Sequence, residues 1–318
     1  MRRYFILTTK KCRIYAAFGV SQTPKYCEYR KELDKKTLKA YRIDLHQYFE
    51  FVCVDEPEKE KIEEYITHLH KNFKPKTVKR KIASIKAYYN YLEETEIIIE
   101  NPFRKIKVRF KENVTLPRII PREEIEQLLN YMYKCLNKGT ASSHKYMLRD
   151  IAIIEVFFAT GARVYEISNI RKDNVNLNTG LIRLMGKGGK ERYVQISSTS
   201  ILALLKKYYA ENESAIRQSG YFFVNNRGNR YTEQSIRLML KKYTEQAGIE
   251  RNITPHMFRH SFATYLIEEG VDVSCVQQIL GHSSIKTTQI YIHIAAKKQA
   301  EILKEMHPRN NMNIIGVA

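Results

Sequence analysis

Between Asn101-Pro102 and Pro121 the chain changes character, and that break limits what it can fold into. Upstream, apolar residues recur at three- and four-residue spacing, the signature of amphipathic helices. Leu38, Tyr41, Leu45, Tyr48 and Phe49 mark one helix, Glu58 to His70 a second, and Thr77 to Leu92 a third. In the third, Val78, Ile82, Ile85, Tyr89 and Leu92 form the apolar stripe. Residues 103–120, FRKIKVRFKENVTLPRII, alternate basic and apolar residues around a proline, as an extended linker does. Downstream, helical segments return over Asp150 to Phe158, 199–210, 232–247, 255–268, 272–280 and 295–305. They are interrupted by two short strands, Leu181–Met185 and Arg192–Ile196, around Gly186-Lys187-Gly188-Gly189-Lys190. Glycines at that tip predict a hairpin. The expected fold is mainly α with a small β-hairpin, in two domains. The expected boundaries are an N-terminal extension over 1–24, a helical domain over 25–102, the linker over 103–120, a second domain over 121–309, and a tail over 310–318.

A chain of 318 residues has room for two domains that each bury a core. Its net charge of +20 points to a polyanionic partner. Residues 1–112 carry 26 basic against 16 acidic residues, a net +10, so the remainder supplies the other +10. Both halves are basic, as expected if both touch one long polyanion. Candidate contacts are Lys79, Arg80, Lys81 and Lys86 in the third helix, Lys105 and Lys107 in the linker, and Lys190. A solvated basic face is the alternative reading of each. The five cysteines are odd in number and form no C-x-x-C pair, which argues against a disulfide framework or a zinc site. The first 20 residues lack a secretory core and no apolar run reaches membrane-spanning length, so a soluble protein of the cytoplasm is expected.

The chemistry is carried by an ordered polar set. Arg163 follows Ala-Thr-Gly, just after a tight turn, with Glu166 three residues on and on the same helix face. His256 and Arg259 share helical i, i+3 spacing, and Thr254-Pro255 puts both in a first turn, where backbone N–H groups attract anions. His260 points about 100° away from Arg259 around the helix. His282 and Tyr291 stand nine residues apart, with His282 26 residues after His256. Lys187 lies at the hairpin tip, with Lys190 as the rival donor. The run is no P-loop, because it lacks the G-x-x-x-x-G-K-[ST] order and precedes a strand. Arginine forks bind phosphate oxygens bidentately. A tyrosine hydroxyl serves as a covalent nucleophile, and lysine or histidine moves the protons. The set suits phosphodiester chemistry with neither metal nor cofactor.

Arg163, Lys187, His256-x-x-Arg259, His282 and Tyr291 together resemble the tyrosine recombinases, the phage integrase family, and their spacings are similar to those of its bacterial Xer branch. The likeness extends to KTLKAYRIDL (36–45), YYNYL, NPFRKIK and KEMHPR (304–309), covering residues 28–309. It implies a helical core-binding domain and a catalytic domain closing as a clamp on duplex DNA. It implies that Arg163 and Arg259 grip the scissile phosphate, His282 assists, His256 moves the proton at the nucleophile, and Lys187 protonates the leaving 5′-oxygen. Tyr291 would attack, giving a 3′-phosphotyrosyl enzyme, with strand exchange through a Holliday junction in a tetramer of this chain or of this chain with a related recombinase. The segments outside 28–309 favour a mobile-element recombinase at least as much as a chromosome-dimer resolvase. A catalytically silent DNA-binding regulator and a type IB topoisomerase-like enzyme are the competing readings.

Overall fold

The computed structural model describes residues 23–28, 33–52, 59–106, 108, 110, 118–138, 141–186 and 189–281, and the chain divides into two units, 1–113 and 114–318. In the first unit, α1 (Lys35–Val52), α2 (Lys59–Asn72) and α3 (Pro75–Glu94) each pack on the other two. Pro75 opens α3, where a missing N–H costs nothing. The apolar stripe expected for this helix is buried in full, against Leu45 and Tyr48 of α1 and Ile62, Tyr65 and Leu69 of α2. The hydroxyls of Tyr48 and Tyr89 meet at 2.7 Å, so neither polar tip is buried without a partner.

The segment expected to be a linker begins differently. Pro102–Lys105 forms a 3-10 turn whose Phe103 N–H donates to the Asn101 side chain at 2.9 Å. Phe103 and Ile106 then enter the first unit's core, Phe103 with its ring centroid 5.5 Å from that of Tyr89. Phe103 and Ile106, three residues apart across this turn, are both buried.

The second unit is assembled around α5 (Ala141–Thr160), with α4 (Arg122–Lys138) before it. Ile151, Ala152, Ile153, Ile154, Val156 and Phe157 are all fully buried, so over this stretch α5 is apolar on all sides but that of the half-buried Glu155. It packs against α4, α7 (Thr199–Ser219) and α9 (Pro255–Glu268). Its start lies nine residues before the expected Asp150. The added turns put Leu148 in the core and pair the buried Arg149 with Asp150 at 2.7 Å. The short helix α6 (Val164–Ser168) follows, and α8 (Glu233–Gln246) and α10 (Val273–Leu280) are further helices of this unit.

Strands β1 (Val175–Asn176), β2 (Leu181–Met185) and β3 (Glu191–Gln195) form one antiparallel sheet in the order β1-β2-β3. The β2–β3 hairpin runs in register from Leu181↔Gln195 to Met185↔Glu191. It is held on the core by Ile182, Leu184 and Val194. Among the described residues no helix is long and apolar enough to cross a membrane.

Candidate active site

Arg163 is delivered by the turn that ends α5. Gly161 has φ +57°, and a Cβ there would lie 2.6 Å from Phe262 Cδ1 and 2.8 Å from Leu280 Cδ2. Only glycine fits both the backbone and the space. Two residues later Arg163 caps α6 in extended conformation. Its backbone N–H donates to Glu166 Oε2 at 2.8 Å and its guanidinium to Glu166 Oε1 at 2.9 Å. More than a third of the Arg163 side chain stays open to solvent, whereas that of Glu166 is 1% exposed. Burial by itself would raise the Glu166 carboxyl. The charge of Arg192, the Arg163 N–H and the Arg192 hydrogen bond outweigh burial and hold it below the usual carboxylate range. Glu166 is therefore an ionised anchor, not an acid.

Arg259 reaches the same turn from α9. One guanidinium nitrogen donates to the Gly161 carbonyl at 2.8 Å and another to the Leu280 carbonyl at 2.6 Å, and the residue is buried. One turn back, His256 is exposed at the start of α9, behind Pro255. Desolvation, followed by the charges of Arg237, Arg259 and Arg163, lowers its imidazole below the ordinary 6.5. His256 is thus neutral at pH 7 and able to accept a proton. Arg259 bonds to the Gly161 carbonyl two residues before Arg163, and His256 precedes Arg259 by about one turn on the same helix. His260 is lowered as well, by desolvation and then by His256 and Arg259.

The other expected members fall differently. Lys187, His282, Tyr291 and Lys107 lie outside the described residues. Lys190 is exposed just before β3. Lys79 and Lys86 are exposed, each 6.0 Å from a ring centroid, that of Phe110 and Phe103 respectively. Lys105 pairs with Glu100 at 2.8 Å. Arg80 is half-buried and pairs with Asp44. Lys81 departs from the expectation of a DNA-facing cation: it is 3% exposed, with its ammonium 3.1 Å from the fully buried Asp44. Its charge is used inside the helical unit.

Two neighbours of the site were not expected from sequence. Arg237 pairs with Glu233 at 3.1 Å and contributes to the field at His256. Arg192 donates to Glu166 Oε2 at 2.9 Å and to the Ile279 carbonyl at 2.6 Å. A signal for Arg192 existed in the alternation of β3. It shares a face with the buried Val194, and a cation on that face needs a partner.

Comparison with known proteins decides the family. Residues 118–298 match the phage integrase family, and residues 21–99 match the phage integrase N-terminal SAM-like domain. A tyrosine recombinase of Agathobacter rectalis is 45% identical over 298 residues, which cover 92% of this chain and 97% of the relative. The chain belongs to the phage integrase family, in the Xer-like branch of the tyrosine recombinases. A tyrosine recombinase XerD of Listeria innocua is 34% identical to this recombinase, over 88% of the present chain and 95% of its own. Among solved structures, the XerH site-specific recombinase bound to a palindromic difH substrate superposes with a TM-score of 0.72 at 23% identity, covering 94% of this chain and 89% of that one. That likeness establishes a shared two-domain fold, mostly helical with a small antiparallel sheet.

Proposed function

We propose that this recombinase cuts and rejoins duplex DNA at specific sites through a covalent tyrosyl intermediate. In the proposed reaction the Tyr291 phenol attacks the scissile phosphorus. The new O–P bond forms as the bond to the 5′-oxygen breaks, leaving a 3′-phosphotyrosyl enzyme and a free 5′-hydroxyl. A free phenol, with pKa about 10, is a weak nucleophile at neutral pH. His256, kept neutral by its surroundings, takes the phenolic proton. Lys187 gives a proton to the departing 5′-oxygen. Arg163 and Arg259, assisted by His282, stabilise the charge on the non-bridging oxygens, which is the main demand of phosphoryl transfer.

The 5′-hydroxyl of a partner strand then reverses the step, and phosphoester energy is retained throughout, so ATP is not needed. Two such exchanges, through a Holliday junction in a tetramer, complete recombination. Mobile-element integration or excision and Xer-like resolution both use this chemistry. The single observation that carries the reading is that Arg259 donates to the Gly161 carbonyl at 2.8 Å, two residues before Arg163, in a member of this family.

A duplex nicked close to the cleavage point tests it, because loss of the short released strand traps the covalent complex. Wild type is expected to form a denaturation-resistant protein–DNA adduct and Tyr291→Phe none. Equal trapping by both proteins would refute the nucleophile assignment.

A further inference from the structure

Two arginines tie the same two pieces of the catalytic unit together, and only one of them belongs to the proposed catalytic set. Arg259 links the Gly161 carbonyl to that of Leu280. Arg192, from β3, links Glu166 to the carbonyl of Ile279, the residue before Leu280. Both carbonyls are at the last turn of α10, where no intrahelical N–H remains for them and the helix dipole favours a cation.

We propose that Arg192 is a positioning residue for DNA cleavage, fixing Arg163 through Glu166 and fixing the end of α10 through Ile279, three residues before His282. Three observations support this. Glu166 is 1% exposed and accepts from the Arg163 amide, the Arg163 guanidinium and Arg192, so no solvent competes for its orientation. Loss of Arg192 would remove one of those donors and a balancing charge, and the carboxylate would be free to turn on Arg163. The aliphatic stem of Arg192 also packs where α10 ends. Gly281 closes that helix at φ +62°, and a Cβ there would come within 2.9 Å of Arg192 Cδ. Finally, the Arg192 side chain is only 10% exposed, and its Nε has no hydrogen-bond partner among the described residues. Its bonds there go to these two acceptors alone, as a cross-brace requires.

The hairpin, the arginine cap of α6 and the end of α10 therefore form one bonded unit. A displacement of about 1 Å at a reacting group costs on the order of 10²-fold in rate. That is the scale expected when the brace is removed.

The inference rests on the recombinase reading, and its test separates the two. Single-turnover cleavage of the nicked duplex would be measured with DNA affinity and melting temperature for wild type, Arg192→Ala, Arg163→Lys and the double variant. Arg192→Ala is expected to cleave on the order of 10²-fold more slowly, with DNA affinity changed by no more than about threefold, since many phosphate contacts carry binding. In the Arg163→Lys background, where Glu166 no longer holds a guanidinium, Arg192→Ala is expected to cost clearly less than in wild type, the coupling of residues in one network, while the loss of the Ile279 bond remains in both. Should Arg192→Ala fail to fold, Arg192→Lys takes its place in the same cycle. It keeps the charge, but its compact ammonium lacks the fork that spans two acceptors. An Arg192 variant that cleaves like wild type, or one slowed equally in both backgrounds, overturns this inference alone. A wild type that forms no covalent product overturns the recombinase reading and this inference with it.

Discussion

Asp44 lies fully buried on α1 and accepts from Lys81 at 3.1 Å, with Arg80 as its second partner. In the sequence Lys81 is one of three consecutive cations, and its partner stands 37 residues earlier on another helix, so the local pattern gives no sign of the pair. Asp44→Ala would leave the buried Lys81 ammonium without its carboxylate, with only the neutral Gln47 side chain still accepting from it. A loss of about 3–5 kcal/mol is expected, the usual cost of breaking a buried pair from one side. Urea denaturation measures it, and a loss below about 1 kcal/mol would place the pair among solvent-screened surface bridges. The pairing of Arg163 with Glu166, by contrast, was legible, because i, i+3 spacing brings partners onto one face of a helix. His256 makes a pH prediction. Its pKa is depressed below 6.5 by desolvation and by Arg237, Arg259 and Arg163, so the proton acceptor survives past pH 6.5 on acidification. The cleavage rate should stay level down to about that pH and fall only below it. An acid limb at or above pH 6.5 in the single-turnover rate would contradict this. The same shift at His256 and His260 affects stability. Between the folded values and 6.5 the unfolded chain binds more protons, so stability is full above pH 6.5, declines as pH falls from 6.5 to the folded values, and levels off below them.

At the scale of elements, the sequence was most readable where one period persisted. The stripe of α3 follows a 3.6-residue repeat, the centre of α5 is marked by its near-continuous apolar run, and the β2–β3 hairpin was marked by its glycines. The two-residue strand β1 has no period to detect and exists only because β2 offers it an edge. The start of α5 was hidden because Ser142 to Lys145 are polar and Arg149-Asp150 interrupts the apolar run, although Arg149 finds Asp150 beside it. The alternation of β3 marked Arg192 as needing a partner, but its acceptors were hidden, since they come from α6 and from the end of α10. The segment between β2 and β3 carries the general acid in the proposed mechanism. Lys187→Ala is expected to slow cleavage about 10²- to 10⁴-fold, the usual contribution of general acid catalysis. A 5′-thio leaving group needs no proton and should restore the rate of that variant. Slow cleavage that the sulfur substrate does not rescue would move the acid elsewhere, with Lys190 the next lysine in the chain.

At the scale of the whole molecule, charge and chemistry are distributed differently. The net charge of +20 is spread over both halves of the chain, so affinity for duplex DNA should be collective and strongly salt-dependent. The proposed chemistry, in contrast, depends on a few side chains drawn from distant stretches of the second unit. Gly161 and Leu280, 119 positions apart in the sequence, are held by the one guanidinium of Arg259. The account stands on the atom that becomes joined to DNA. Protease digestion of the trapped adduct, followed by mass spectrometry of the peptide that carries the nucleotide, identifies it directly. The expected result is a 3′-phosphate esterified to Tyr291. Attachment at any of the other 21 tyrosines, or through a different residue type, would contradict the account.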